Sequence, residues 1–332
     1  MEVITHTLAS VALTRAGLNR VTPLALPMAI AAGLLADVDL ASRWAGAEAY
    51  LRWRRTATHS LAGTAAIAIV VAAAFWLLRR KNAAAPVRFL CALAATCTGA
   101  GTHLLLDLLG THGVQLLWPF RRSWQAWDLV EAVDVWVLAF LLAGLLLPEL
   151  FRMVSEEIGA RSGPGNRRRG ALAALVLVSA YCGVRALLHQ RANELLRSTL
   201  YNGAAPLTVA AFPSPAWPFT WRGVAETEDT LEEAEVSAGF TAGDIAPSTT
   251  HFKPEPSAML EAAQNTATAQ RFLQFARFPL ASVLRLREGY QVELRDLRFA
   301  GAAEWRPAPV ARIELDENLR VTDERLLLRT SP

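Results

Sequence analysis

The sequence predicts an all-α polytopic membrane helical bundle over residues 1–199, with four firm and two short spans, followed by a soluble α+β domain over residues 200–332. Three observations carry that prediction. Apolar runs near the roughly 20 residues that a helix needs to cross a hydrocarbon core recur along the first part of the chain. Helix-breaking prolines then appear together, at Pro206, Pro213, Pro215 and Pro218, and carboxylates gather from Glu226 to Glu235. Beyond them the pattern turns to alternation of apolar and polar residues, as in half-buried strands. Of the 332 residues 53% are hydrophobic, and a net charge of +3 gives no reason to expect a nucleic-acid partner.

Taken in order, residues 2–19 form a mildly amphipathic segment and residues 23–36 a short apolar one. Each falls short of a full span, so a tight helical pair is expected. The N-terminus carries Glu2 and His6 and lacks a basic leading region, which argues against a cleavable signal peptide. A polar, aromatic linker (40–57) contains Trp44, Tyr50 and Trp53. The firm spans follow at about 59–78, 87–110, 129–150 and 170–188. Cys91, Cys97 and Cys182 lie in apolar helical runs and read as small core residues, not as a disulfide or zinc framework. Arg185, near the exit of the last span, reads as a snorkelling or headgroup residue.

Basic residues in short loops set orientation. One side collects Arg20, Arg79, Arg80, Lys81, Arg88, Arg161 and Arg167 to Arg169; the other has Arg43, Arg52, Arg54, Arg55, Arg121 and Arg122. The richer side is expected to be cytoplasmic, which puts the C-terminal domain on the outer face. In that domain residues 257–276 read as an amphipathic helix, and residues 290–299 and 308–315 as strands. His251 reads as an ordinary surface histidine.

The same topology brings four polar patches to the outer face: His6, the pair Asp37 and Asp39, His59, and His103 with Asp107. His103 and Asp107 are one helical turn apart on one face. An ionisable side chain in hydrocarbon costs about 2.5–3.5 kcal/mol even on the lenient insertion scale. Histidine nitrogen with carboxylate oxygen suits a divalent metal, zinc first, with manganese or iron as alternatives. His59, His103, Asp107 and one of Asp37 or Asp39 are the expected ligands, with the remaining aspartate as general base. The candidate catalytic residues are therefore Asp37, Asp39 and His59. Asp134 is expected to orient a ligand histidine, and Arg54 or Arg55 to steady an anionic headgroup. His112, on the loop past the helix, is the weaker candidate.

The succession of His6, Leu34-Leu35-Ala36-Asp37-Val38-Asp39, Arg54-Arg55-Thr56-Ala57-Thr58-His59-Ser60-Leu61 and Thr102-His103-Leu104-Leu105-Leu106-Asp107, with Gly113 to Phe120 after it, resembles the YdjM-type family. Its members are described as LexA-regulated, bacterial inner-membrane, metal-dependent hydrolases. The resemblance spans roughly residues 1–150, and Phe212 to Pro215 with Trp217 to Arg222 is similar to the start of the soluble part in longer members. It implies metal-site roles for His6, Asp37, Asp39, His59, His103 and Asp107, with Asp134 at an acidic position of the next helix. Ala36 stands where the family usually has proline, and Arg54 where many members have a further histidine. The His-x-x-x-Asp helix also resembles, distantly, that of zinc-dependent phospholipase C. The expected activity is hydrolysis of an ester or phosphoester in a lipid-like or membrane-proximal substrate at the bacterial inner membrane. The alternative is a non-catalytic membrane protein with a structural polar cluster and an envelope-facing binding domain.

Overall fold

The structure, a computed structural model, describes residues 1–80, 87–157, 165–300 and 308–329. Lys81 and Arg161, which entered the loop-charge argument, lie outside the described residues. Two compact units emerge. The first comprises Met1–Asp39, Arg55–Leu187 and Pro213–Pro218; the second comprises Leu40–Arg54, Leu188–Phe212 and Phe219–Pro332.

The helices of the first unit begin where the sequence supplies a partner for their free N–H groups. Glu2 caps α1 (Val3–Ala16), its carboxylate accepting from Thr5 N at 2.9 Å. Pro27 sits in the first turn of α2 (Ala25–Ala36), where no N–H is needed. That helix continues as a 3₁₀ segment, Asp37–Ala45. A second short helix, α3 (Ala47–Trp53), belongs to the other unit. Ser60 caps α4 (Leu61–Arg79), accepting from Gly63 N at 2.9 Å. The next helices are α5 (Phe89–Leu108), α6 (Val135–Glu157) and α7 (Gly165–Ser198).

Five helical stretches are long and apolar enough to cross a membrane: Ala25–Ala45, Leu61–Arg79, Phe89–Leu108, Val135–Ser155 and Asn166–Ser198. They include a counterpart of each of the four firm spans, the third beginning at Val135 and not at 129. The second short segment gains length from its 3₁₀ continuation, whereas α1 is not among the five. Large apolar side chains are exposed on their outward faces, including Ile69, Val70, Leu77, Leu146 and Val176, as lipid-facing helices require.

Close helix crossings rest on glycine, because lipid-embedded helices associate by packing small residues. A Cβ on Gly99 of α5 would lie 2.2 Å from the Ala29 carbonyl oxygen of α2. Gly144 and Gly170 do the same for α6 and α7, where a Cβ on either would come within 2.5 Å of the other's carbonyl oxygen. Arg185 is not a snorkelling residue. It is fully buried, with Nε donating to the Leu129 carbonyl at 2.8 Å and Nη1 to that of Pro218. Cys97 is exposed, not a core residue.

The second unit holds two antiparallel sheets. In the first, β1 (Thr208–Pro213), β2 (Thr220–Glu226) and β3 (Thr230–Ala238) are neighbours, and β3 is completed by both β4 (Gly243–Ile245) and β5 (Thr249–Phe252) along its other edge. Glu232 of β3 is buried, accepting from Thr230, Ser248 and Thr250 hydroxyls at 2.8–2.9 Å. The second sheet is a meander, β6 (Pro279–Leu286), β7 (Gly289–Asp296), β8 (Ala308–Leu315) and β9 (Val321–Arg329). The expected single helix over 257–276 is two, α8 (Ala258–Gln264) and α9 (Ala267–Phe275). Thr266 starts the second by accepting from Ala269 N at 3.2 Å. Strand β7 ends at Asp296, and the turn that follows buries Arg298 against the stacked Phe275 and Phe299 rings.

Candidate metal centre

Three segments of the first unit converge on one buried point. Helix α5 presents His103 and Asp107 from successive turns; α2 ends at Asp37; and the turn before α4 carries His59. Asp37, His59, His103 and Asp107 each offer one ligand atom, and these atoms all lie within 4.8 Å of one another. The Nε2 atoms of His59 and His103 are 3.2 Å apart. Asp107 Oδ2 lies 3.0 Å from the first and 3.4 Å from the second, and Asp37 Oδ1 3.9 Å from each. His59 and Asp107 are fully enclosed, and Asp37, with its side chain 8% exposed, is the most accessible of the four.

Asp39 addresses the opposite side of His59. Its Oδ2 lies 3.0 Å from His59 Nδ1 and accepts from Thr58 Oγ1 at 3.0 Å and from Arg55 N at 2.7 Å. A carboxylate facing Nδ1 favours the tautomer with its proton there, so the neutral ring turns an Nε2 lone pair toward Asp107 and His103. Burial pushes the His59 imidazole down, but Asp107 and Asp39 outweigh it and hold it above its ordinary value.

Two cations touch Asp107 Oδ1: the Arg55 guanidinium, through Nη2 at 2.8 Å, and the α-amino group of Met1. Arg55 has a left-handed backbone (φ 56°), fixed by its N–H on Asp39 and by its carbonyl, which accepts from Gln115 N at 3.0 Å. A non-glycine residue held there is strained, and such strain concentrates at functional sites. His6 is buried, stacked on His103 with ring centroids 3.7 Å apart, its Nε2 3.5 Å from Asp107 Oδ1.

These residues fit a divalent cation. Among the described residues Asp107 Oδ2, His103 Nδ1 and both nitrogens of His6 make no hydrogen bond although they are buried. A centre lined by lone pairs and carboxylate oxygen is satisfied by a proton or a metal, and the two compete. Two histidines and two aspartates are a ligand set for zinc, manganese or iron, and the buried group can hold a metal ion.

The other expected residues are elsewhere engaged. Both oxygens of Asp134 are taken, Oδ1 by the N–H groups of Trp136 and Val137 and Oδ2 by the Tyr181 hydroxyl at 3.1 Å, so it caps α6. Arg54 ends α3 in the second unit. His112 meets Trp124 edge-on, and His251 Nε2 lies 3.5 Å from Glu233. Sequence reasoning missed Thr58, whose hydroxyl beside His59 was the available signal, and Gln115, whose role is a backbone one and leaves none.

Residues 1–192 match the family model described as YdjM inner membrane protein, and residues 258–326 match the YfhP C-terminal alpha/beta plait domain. No curated protein and no solved structure gives a match. With the first match covering more than half of the chain, over helices fit to cross a bilayer, the chain belongs to the YdjM inner membrane protein family.

Proposed function

We propose that this protein is a multi-pass, metal-dependent hydrolase acting on an ester or phosphoester of a lipid-like or membrane-proximal substrate, with its site and C-terminal domain on the outer face of the inner membrane. The observation that carries the reading is the buried convergence of Asp37, His59, His103 and Asp107 from three separate segments. Those four would hold the ion. When bound, a divalent cation there supplies Lewis acidity and makes hydroxide accessible near neutral pH.

The chain's own residues do the rest. Asp39 holds the Nδ1 proton of His59 and so keeps the Nε2 lone pair turned inward. Arg55 offsets the charge of Asp107 and brings a guanidinium to the edge of the group, suited to an anionic headgroup. Asp37, the most accessible of the four, would hold the ion on the side from which substrate and water enter. The low polarity of the surrounding helices strengthens each of these interactions.

Metal analysis of the purified full chain beside the His103→Ala, Asp107→Ala double variant tests the reading. Stoichiometric metal in the wild type and none in the variant is expected. Equal metal in the two would leave the cluster as a structural hydrogen-bond network and end the hydrolase proposal.

A further inference from the structure

Helix α5 delivers Asp107 one residue before its end at Leu108. The last carbonyls of a helix have no partner inside it, so groups outside must receive them or the turn frays. The chain between α5 and α6 supplies those donors. Trp127 N donates to the Leu108 carbonyl at 2.9 Å, and Leu129 N and Val130 N donate to the Leu109 carbonyl at 2.9 and 3.2 Å. Three N–H groups of one short segment therefore hold the chain one and two residues beyond Asp107. Asp128, inside that segment, has a left-handed backbone (φ 53°), a conformation that costs energy in a non-glycine residue and needs holding.

Arg185 of α7 holds the segment from behind. Leu129 turns its N–H toward α5, and its carbonyl accepts from Arg185 Nε at 2.8 Å. Arg185 Nη1 donates to the carbonyl of Pro218, which is grouped with the first unit. The guanidinium is fully buried, and Leu129 and Val130 share an apolar cluster with Leu106 and Leu109, which flank Asp107. A hydrogen bond from a charged donor is roughly twice as strong as a neutral one, and low polarity strengthens it further.

We infer that Arg185 is a positioning residue for the metal centre. Through residues 127–130 it fixes the end of α5, and with it the direction of Asp107 between His59 and His103. Asp107 Oδ2 lies 3.0 and 3.4 Å from the two Nε2 atoms, so a tilt of the last turn changes its place against both at once. His103, one turn earlier, moves less. The inference rests on the metal-centre reading above and adds to it a residue outside the four-ligand group.

Zinc affinity of the solubilised full chain, measured against a chromophoric chelator, tests this together with the visible spectrum of bound cobalt(II), which reports ligand geometry. Arg185→Met keeps the bulk but donates no hydrogen bond. It should bind zinc about tenfold more weakly, the lower end for groups that orient ligands, and shift the cobalt bands. Arg185→Lys, which keeps a cation and a donor, should recover part of the loss. Gly170→Ala, in the same helix, places a Cβ 2.4 Å from the Gly144 carbonyl oxygen and should lower the melting temperature with zinc affinity and spectrum unchanged. Because coupling is reciprocal, zinc should slow amide exchange of residues 127–130 in the wild type about tenfold, a measurement that needs no variant to fold. Unchanged affinity and spectrum in Arg185→Met overturn the inference, as does an equal loss in Gly170→Ala or exchange in residues 127–130 that ignores zinc. Those results leave metal binding by the wild type standing, whereas a wild type without metal sinks both readings.

Discussion

Replacing Asp39 by asparagine removes a charge while keeping the side chain's shape. In the wild type, Asp39 Oδ2 receives the Arg55 N–H at 2.7 Å and the Thr58 hydroxyl at 3.0 Å, and lies 3.0 Å from His59 Nδ1. An amide oxygen can still accept from the first two donors, so the turn before α4 should hold. What is lost is the anion behind the imidazole, and with it part of the basicity of Nε2. Groups in this position change metal affinity by about 10–100-fold, or about 1.4–2.7 kcal/mol. The assay is competition for zinc between the solubilised chain and a chromophoric chelator, with circular dichroism to confirm unchanged helix content. Stoichiometry should stay as in the wild type while affinity falls by that factor. Unchanged affinity would refute the orienting role. Complete loss of the ion with the helices intact would refute it in the other direction, by making Asp39 a direct ligand.

Gly99→Val should be felt at the metal although it touches no ligand. Its Cβ would lie 2.2 Å from Ala29 O, so α2 and α5, which carry Asp37 and His103, must move apart at about 1–3 kcal/mol. Metal content measured beside Gly101→Leu, which meets no such clash, gives the comparison, with a drop expected only for Gly99→Val. Bound metal should fall as pH is lowered, because His59 must be neutral to bind and its neighbours hold it above its ordinary value when protons are the competitor; dialysis across a pH series followed by metal analysis reads this directly. In the second unit, Glu232→Ala strands the hydroxyls of Thr230, Ser248 and Thr250. A loss of about 2–3 kcal/mol is expected, seen as roughly 100-fold faster amide exchange in β3 and β5.

The membrane helices were legible because a hydrocarbon solvent leaves few options: apolar runs of sufficient length, ended by charge, have little else to be. The His103 and Asp107 pair was legible for the same reason, as polar groups placed where they are expensive. The division of labour between Asp37 and Asp39 was not. It depends on which carboxylate meets which nitrogen of His59, and two residues of chain separate the alternatives. Arg185 misled because a lone arginine near a span's end usually reaches for the interface, whereas here two backbone carbonyls receive it inside the bundle. In the C-terminal part, the alternation over residues 290–299 puts Glu293 and Arg298 on its polar side, yet both are buried. Glu293 is paired with Arg295 and Arg312, and Arg298 enters through a turn that breaks the alternation. The sheet from β1 to β5 escaped notice because its central strand is rich in glutamate, and a buried Glu232 is made tolerable in large part by the hydroxyls of Ser248 and Thr250, distant in sequence.

The hydrogen bond from Arg55 N to Asp39 Oδ2 also closes a neck in the chain. Residues Leu40–Arg54, which lie between its two sides, are counted with the second unit, while Asp39 and Arg55 remain with the first. The excursion carries α3, with Tyr50 and Leu51 buried and Glu48 paired with Arg271, so what constrains it lies in the second unit, while the two residues at its base keep their places beside His59. Sequence drift within it would leave the metal centre's inner geometry untouched, and a single substitution at the neck would not.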